Sequence, residues 1–248
     1  MTHSRSSPTT RRFHGHRPSP RARLICIPHA GVGAAAFRDF HCFLPETIDV
    51  CSVRLPGRES RIDEPALTSV AAIADMLLDE LQSELDVPYA LVGQCLGALA
   101  AFEFACRLSR HNARQPEYMF LLSQAAPPET RGSDAEAFDV FLNNALENTY
   151  PDRSAPGVAS MIEIMTPTIH ADYSAAHRYY ADSTARLTTP VSVFLGDQDK
   201  KVQPEDMLRW RARTNNSFTL RVIPGSHILS GTSLDAIGRH IVQDWLDC

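Results

Sequence analysis

An α/β fold, a mainly parallel sheet with helices on both faces, is predicted for this 248-residue chain by three observations. Short, almost continuously apolar runs alternate with stretches of helical periodicity, as when strands are joined through crossover helices. The runs lack polar alternation, which fits strands covered on both sides. One of them, Tyr89-Ala-Leu-Val, leads through Gly93-Gln-Cys95-Leu-Gly97 straight into a small-residue helix, Ala-Leu-Ala-Ala-Phe.

In chain order, residues 1–23 hold six Arg, no acid and no apolar block, with many Ser, Pro, Thr and His. This composition is expected to form a disordered basic tail, solvated rather than bound to an acidic partner. Strands follow at 24–28, 50–55, 89–92, 118–123, 191–195 and 219–223. Helices are expected over 69–85 and 97–108, where apolar residues recur at helical spacing. The stretch 127–189 breaks the alternation. Its amphipathic pieces at 135–146, 158–165 and 170–180 are separated by Tyr-Pro, Pro-Gly and Thr-Pro. An insertion of this kind lies over the carboxyl edge of the sheet, so part of it is read as a lid. Ordinary connecting helices are the alternative. No repeat or linker divides 24–248, which is read as one domain.

Composition narrows the function classes. The chain is 44% hydrophobic and 21% charged, ordinary for a soluble globular protein. No apolar run approaches the roughly 18 residues of a membrane span, and the start lacks the h-region of a secretory signal. A cytoplasmic setting is expected. Taking the tail's six Arg from 24 basic residues leaves 18 against 29 acidic ones, a formal charge of −11 that does not suggest nucleic acid. The six cysteines include no C-x-x-C pair, so neither a metal nor a redox site is expected. Cys26, Cys51 and Cys106 read as small core hydrophobes.

Cys95 differs. G-x-C-x-G between strand and helix is the sequence form of a nucleophile elbow, the sharp turn of the α/β-hydrolase fold. Gly93 and Gly97 flank it because the turn leaves little room for Cβ atoms. A thiol nucleophile needs a base, and the base an orienting group; in this fold they follow in the order nucleophile, acid, His. Gly196-Asp-Gln-Asp199 ends one later strand and Gly225-Ser-His227 follows the last. Asp199 is preferred to Asp197, because the first Asp of such a loop more often caps its own turn. Oxyanion donors are expected at the backbone N–H of Leu96, directly after the nucleophile, and at Ala30 in the small-residue loop Pro28-His-Ala-Gly-Val-Gly, with His29 as fallback. His29 and Gln94 are candidate substrate contacts; Gln94 is equally readable as a solvent-exposed elbow residue. The aromatic residues Phe138, Phe141, Tyr173, Tyr179 and Tyr180 are read as helix packing ahead of an acyl pocket.

Several blocks together resemble type II thioesterases, the stand-alone α/β-hydrolases that serve polyketide synthases and nonribosomal peptide synthetases. They are Ile27-Pro-His-Ala-Gly-Val-Gly-Ala-Ala-Ala-Phe, Val53-Arg-Leu-Pro-Gly-Arg-Glu, Gly93-Gln-Cys-Leu-Gly-Ala-Leu-Ala-Ala-Phe-Glu, Gly196-Asp-Gln-Asp and Gly225-Ser-His. The similarity runs from about Leu24 to the C-terminus, and Pro-Gly-Arg-Glu is its most specific block. His170-Ala-Asp172 sits where the family often has Arg-Ala-Asp. The resemblance implies an acyl group delivered on the phosphopantetheine arm of an acyl or peptidyl carrier protein, with no other cofactor and no metal. It carries the triad onto Cys95, Asp199 and His227. Nucleic acid and membrane partners are not implied, and a monomer is expected.

The departures cluster at the site. Gly-His-Ser-Met-Gly is the family's usual elbow; Gln94 and Cys95 replace its His and Ser. His29 stands where the family has an aromatic residue before the first Ala-Gly, and Ile228 where a Phe often follows the catalytic His. A Cys acyl-enzyme is itself a thioester, so the acyl group stays activated. Thioester hydrolysis is the first reading. Acyl or aminoacyl transfer from Cys95 to a second carrier or an amine is the alternative. A small-ester or lactone hydrolase of the dienelactone hydrolase type, which shares the Gly-x-Cys-Leu-Gly elbow, comes after these, as does a non-catalytic binding protein.

Overall fold

A computed structural model describes residues 9–14, 19–129 and 158–247, with side chains from 163 onward in the last stretch. Its strands are β1 (Thr10–Arg11), β2 (Ala22–Ile27), β3 (Ile48–Val53), β4 (Tyr89–Gln94), β5 (Tyr118–Leu122), β6 (Val191–Gly196) and β7 (Phe218–Ile223). They form one sheet in the order β1-β3-β2-β4-β5-β6-β7. Every pairing is parallel except β1 with β3. All six strands expected from the sequence are present, with ends shifted by one to two residues.

Two apolar layers cover the sheet. On one face lie α1 (Val70–Glu80) and α2 (Leu96–Arg110), which pack on Ile25, Leu91, Met119 and Val193. Ser69 caps α1 by accepting the Ala72 N–H at 3.1 Å. Ala98, Ala100, Ala101 and Ala105 are buried in α2, so the helix runs close over the strands. The opposite face is covered by α5 (Thr232–Ile241), whose Leu234, Ile237 and Ile241 meet Leu24, Val92 and Phe120. The sequence reading missed α5, although those three apolar residues recur at helical spacing. It also missed the five-residue α4 (Pro204–Leu208).

The expected pieces at 158–165 and 170–180 are one helix, α3 (Val158–His177), with Pro167 inside it. A proline removes one ladder donor and crowds the preceding turn, so the sequence pattern breaks there. Tertiary bonds just beyond it, from Thr168 Oγ1 to Gly57 O and from Arg58 to Asp172, anchor the helix regardless. The expected piece at 135–146, with Phe138 and Phe141, lies outside the described residues. No described helix is long and apolar enough to cross a membrane.

The structure also departs from the expected disordered tail at two places. Ala22 and Arg23 belong to β2, and Thr10–Arg11 pairs with Val53 and Ser52 of β3. The reason is charge, which composition hides. Arg12 and Arg23 both donate to the buried Asp49, Arg23 through Nε at 2.9 Å, and Arg12 also reaches Glu84 at 2.6 Å. Thr10 Oγ1 donates to the same Glu84 at 2.9 Å. Asp49, Cys51 and Glu84 place ligand-type atoms within 4.8 Å of one another, as a metal site would; here two guanidinium groups fill that cradle. Burial would push the Asp49 carboxyl up, but the hydrogen bonds from Arg12 and Arg23 outweigh it and hold the group below its usual range.

Removing one partner of a buried ion pair strands the other. Asp49→Ala should therefore lower unfolding free energy by about 3 kcal/mol in urea titrations. Because the Asp49 pKa is depressed in the folded state, its contribution is complete above about pH 4. It fades as pH falls through the lower folded value. A variant whose stability and acid sensitivity match wild type would remove Asp49 from this role.

Candidate active site

The sheet's connections determine where the site lies. From β2 the chain passes to β3 on one side, and then returns to β4 on the other. Loops leaving the carboxyl ends of β2 and β4 therefore diverge, opening a crevice where ligands bind in such sheets. Residues 28–33 follow β2 and Cys95 follows β4.

Cys95 sits at φ 51° and ψ −118°, a left-handed conformation strained for a residue with a Cβ. Its N–H donates to Leu122 O at 3.0 Å, which carries the β4–β5 pairing up to the turn. A Cβ on Gly93 would lie 2.3 Å from Gly97 O, and one on Gly97 would lie 2.1 Å from Ile27 O. Both contacts are with backbone and cannot yield. The G-x-C-x-G spacing is thus the condition for α2 to start against β2 and β4 while Cys95 projects from the turn.

His227 Nδ1 and Asp199 Oδ2 are 2.9 Å apart, and the Asp199 carboxylate is fully buried. Its other oxygen accepts the N–H groups of Lys201 and Val202 at 2.8 and 3.1 Å. This arrangement puts the proton on His227 Nδ1 and leaves Nε2 as the basic nitrogen. Asp197 does something else: its Oδ1 accepts the Gly225 N–H at 3.0 Å and ties the two loops together.

The backbones of Ala30 and Leu96 lie near enough to the Cys95 thiol to favour its ionised form. The loops that follow β2 and β4 thus meet at the thiol. Burial pushes the Cys95 thiol above its ordinary range, only partly offset by those backbone groups and by the positive charge of Lys201. Burial likewise lowers the His227 imidazole, against the opposing pull of Asp199. The resting pair is therefore a neutral thiol and a neutral imidazole. No hydrogen bond joins them in this structure; such contacts commonly tighten when substrate binds.

The two candidate substrate contacts separate. His29 lies near His227, Asp172 and Lys201, and burial lowers its pKa; its Nδ1 stands 3.1 Å from Ala30 O. Gln94 is 2% exposed and its amide donates to Leu229 O at 3.3 Å. It is not a solvent-exposed elbow residue. Side chains alternate along β4, so Gln94 turns under the sheet and props the loop carrying His227. Of the aromatic residues, Tyr179 donates to Glu103 at 2.8 Å and packs on the core, while Tyr180 is exposed. Tyr173 is close enough to Cys95 to help push its own phenol up to about 12, after burial.

The Pro-Gly-Arg-Glu block proves to be part of the site's frame. Gly57 takes φ 80° at the turn. Arg58 is buried and grips Asp172 of α3 with two bonds, at 2.7 and 2.8 Å. Glu59 accepts the Ala35 N–H at 3.0 Å, just beyond the 28–33 loop. Beside them, Gly31, Val32, Ile62, Met165, Arg58 and Thr168 line a cleft of about 300 Å³.

Thioesterase domains as a family match residues 22–244 of the chain. The gramicidin S biosynthesis protein GrsT of Aneurinibacillus migulanus is 32% identical over 212 residues, covering 83% of this chain and 81% of that protein. Among solved structures, RedJ, a thioesterase from the prodiginine pathway of Streptomyces coelicolor, superposes with a TM-score of 0.80. It is 29% identical, covering 93% of this chain and 90% of RedJ. The type II thioesterase BorB of the borrelidin cluster gives a TM-score of 0.81 at 27% identity, covering 95% and 96%.

Two substitutions distinguish the acids. Asp199→Asn should cut turnover by about 10³-fold or more through loss of the His227 tautomer, while Asp197→Asn should cost less than about tenfold; equal losses would reverse the assignment. Activity needs neutral His227, so turnover should fall only below pH 6.5. Alkylation of Cys95 by iodoacetamide should keep rising through pH 9, since its thiol is raised above 9.0. An alkylation plateau below pH 7 would mean a preformed ion pair instead.

Proposed function

Because this chain belongs to the thioesterase-domain family and to its type II branch, we propose that Cys95 takes the acyl group from a carrier protein's phosphopantetheine arm and hands it to water. Asp199 and His227 joined at 2.9 Å, on the loops that follow β6 and β7, support this reading most strongly. As substrate engages, His227 Nε2 removes the Cys95 proton and the thiolate attacks the thioester carbonyl. The Ala30 and Leu96 N–H groups bind the oxyanion. Collapse breaks the carbon–sulfur bond to the arm, and His227 returns its proton to the departing pantetheine thiol. Water then repeats the sequence, losing its proton to His227, and Cys95 leaves as the free thiol. Asp199 holds the imidazole in the tautomer both halves require.

The substrate class rests on kinship with type II thioesterases, GrsT being a gramicidin S biosynthesis protein and RedJ a thioesterase of the prodiginine pathway. The mostly apolar cleft beside the oxyanion loop suits a thioester arm or its acyl chain. One observation favours a second outcome for the same intermediate. A thioester on Cys95 is about as activated as the carrier thioester it came from, so a thiol or amine can intercept it before water does.

Intact-protein mass spectrometry separates these outcomes. With acyl-loaded carrier protein, wild type should release free acid with a transient adduct on Cys95, and Cys95→Ala should show neither. A long-lived adduct discharged only by an added empty carrier or amine would establish transfer. Full activity in Cys95→Ala would sink the assignment of the nucleophile.

A further inference from the structure

We propose that Asp172 is a positioning residue for the oxyanion hole, acting through the backbone of Gly31. The inference deepens the proposed function and rests on it. Asp172 is fully buried, and its Oδ2 accepts the Gly31 N–H at 2.8 Å. The same carboxylate is held by Arg58, with NH1 on Oδ2 at 2.7 Å and NH2 on Oδ1 at 2.8 Å. Arg58 is fixed in turn: NH1 donates to Val32 O at 3.1 Å and Nε to Pro56 O at 3.2 Å. Gly31, at φ 79°, and Val32 directly follow Ala30, so one carboxylate and one guanidinium grip the oxyanion loop from both sides of Gly31.

The orientation matters because successive backbone N–H groups of a tight loop point in different directions. Drawing the Gly31 N–H onto Asp172 sets the peptide plane that follows Ala30, and so fixes the backbone of the residue that favours the ionised Cys95 thiol. Gly31 itself has no slack: a Cβ there would meet Ile169 at 2.9 Å. Asp172, Ile169 and Thr168, the last bonded to Gly57 O, all lie on α3. The hole is therefore assembled by a helix that follows Cys95 in the chain by more than sixty residues. The expectation that Ala30 is the second donor requires this contact from α3, which neither the elbow nor the loop supplies.

Alkylation by iodoacetamide and acyl transfer separate this role from simple stability. Displacement at a saturated carbon forms no oxyanion, so it reports an intact, reachable thiol without the hole. Asp172→Ala should lower acyl-thioester turnover about 100-fold, mainly in kcat, the usual loss for one oxyanion donor. Cys95 alkylation at pH 8 should change by less than about threefold. Asp172→Asn, which keeps an acceptor for Gly31, should recover part of the loss. Should Asp172→Ala fail to fold, Arg58→Lys offers the same comparison with a cation that cannot make both bonds. Parallel loss of alkylation and turnover, or turnover within twofold of wild type, would overturn the proposal. A wild-type enzyme never acylated on Cys95 would instead overturn the function on which it depends.

Discussion

Backbone packed directly on backbone is the constraint from which the rest of this protein follows. Gly97 begins α2 so close to β2 that no Cβ fits between it and Ile27 O, and Gly93 meets Gly97 in the same way. Because the helix starts there, the chain must turn at Cys95 through a conformation that costs about 1–3 kcal/mol. That cost is met by the pairing of β4 with β5 and the burial of α2. The result is a thiol fixed in the crevice between loops of β2 and β4. The loops after β2, β6 and β7 then bring Ala30, Asp199 and His227 to the same edge of the sheet.

Electrostatically the site is poised rather than charged. Burial keeps the Cys95 thiol protonated and the His227 imidazole neutral, so no ion pair has to be desolvated before substrate arrives. Buried charges elsewhere come as matched sets, Arg58 with Asp172 and Arg12 and Arg23 on Asp49 and Glu84, while Asp199 is held by the Lys201 and Val202 N–H groups and by the His227 ring. Such sets are weak sources of net stability but strong determinants of geometry, since displacing either member leaves a buried charge unpaired.

Legibility in the sequence followed the range of the interaction. The strands, the elbow, Asp199 and His227 could be read because each is signalled within a few residues, by apolar runs, glycine spacing or position after a strand. The order of groups along the chain then sufficed to pair an acid and a base 28 residues apart. What escaped was fixed by partners far off in sequence. Gln94 looked like a surface or substrate residue because only the fold shows Leu229 O beneath it. Arg12 looked like one more charge in a polar tail until Asp49 and Glu84 were brought under it. Pro167 read as a helix boundary because α3's anchors, Gly57 and Arg58, lie more than a hundred residues earlier. The Pro-Gly-Arg-Glu block was legible as a signature, but not as half of a contact.

The short strand Thr10–Arg11 has a meaning beyond local charge neutralisation. It precedes the span shared with thioesterase domains, residues 22–244. By pairing with Val53 and Ser52 it covers the flank of β3, which without it would present unsatisfied N–H and C=O groups to solvent. Open flanks of that kind are templates on which a neighbouring chain can add a strand, and they are a common route to aggregation. Two residues, clamped by the next arginine, thus act as a guard rail: they end the sheet beside β3 and deny Ser52 and Val53 to a strand from another copy.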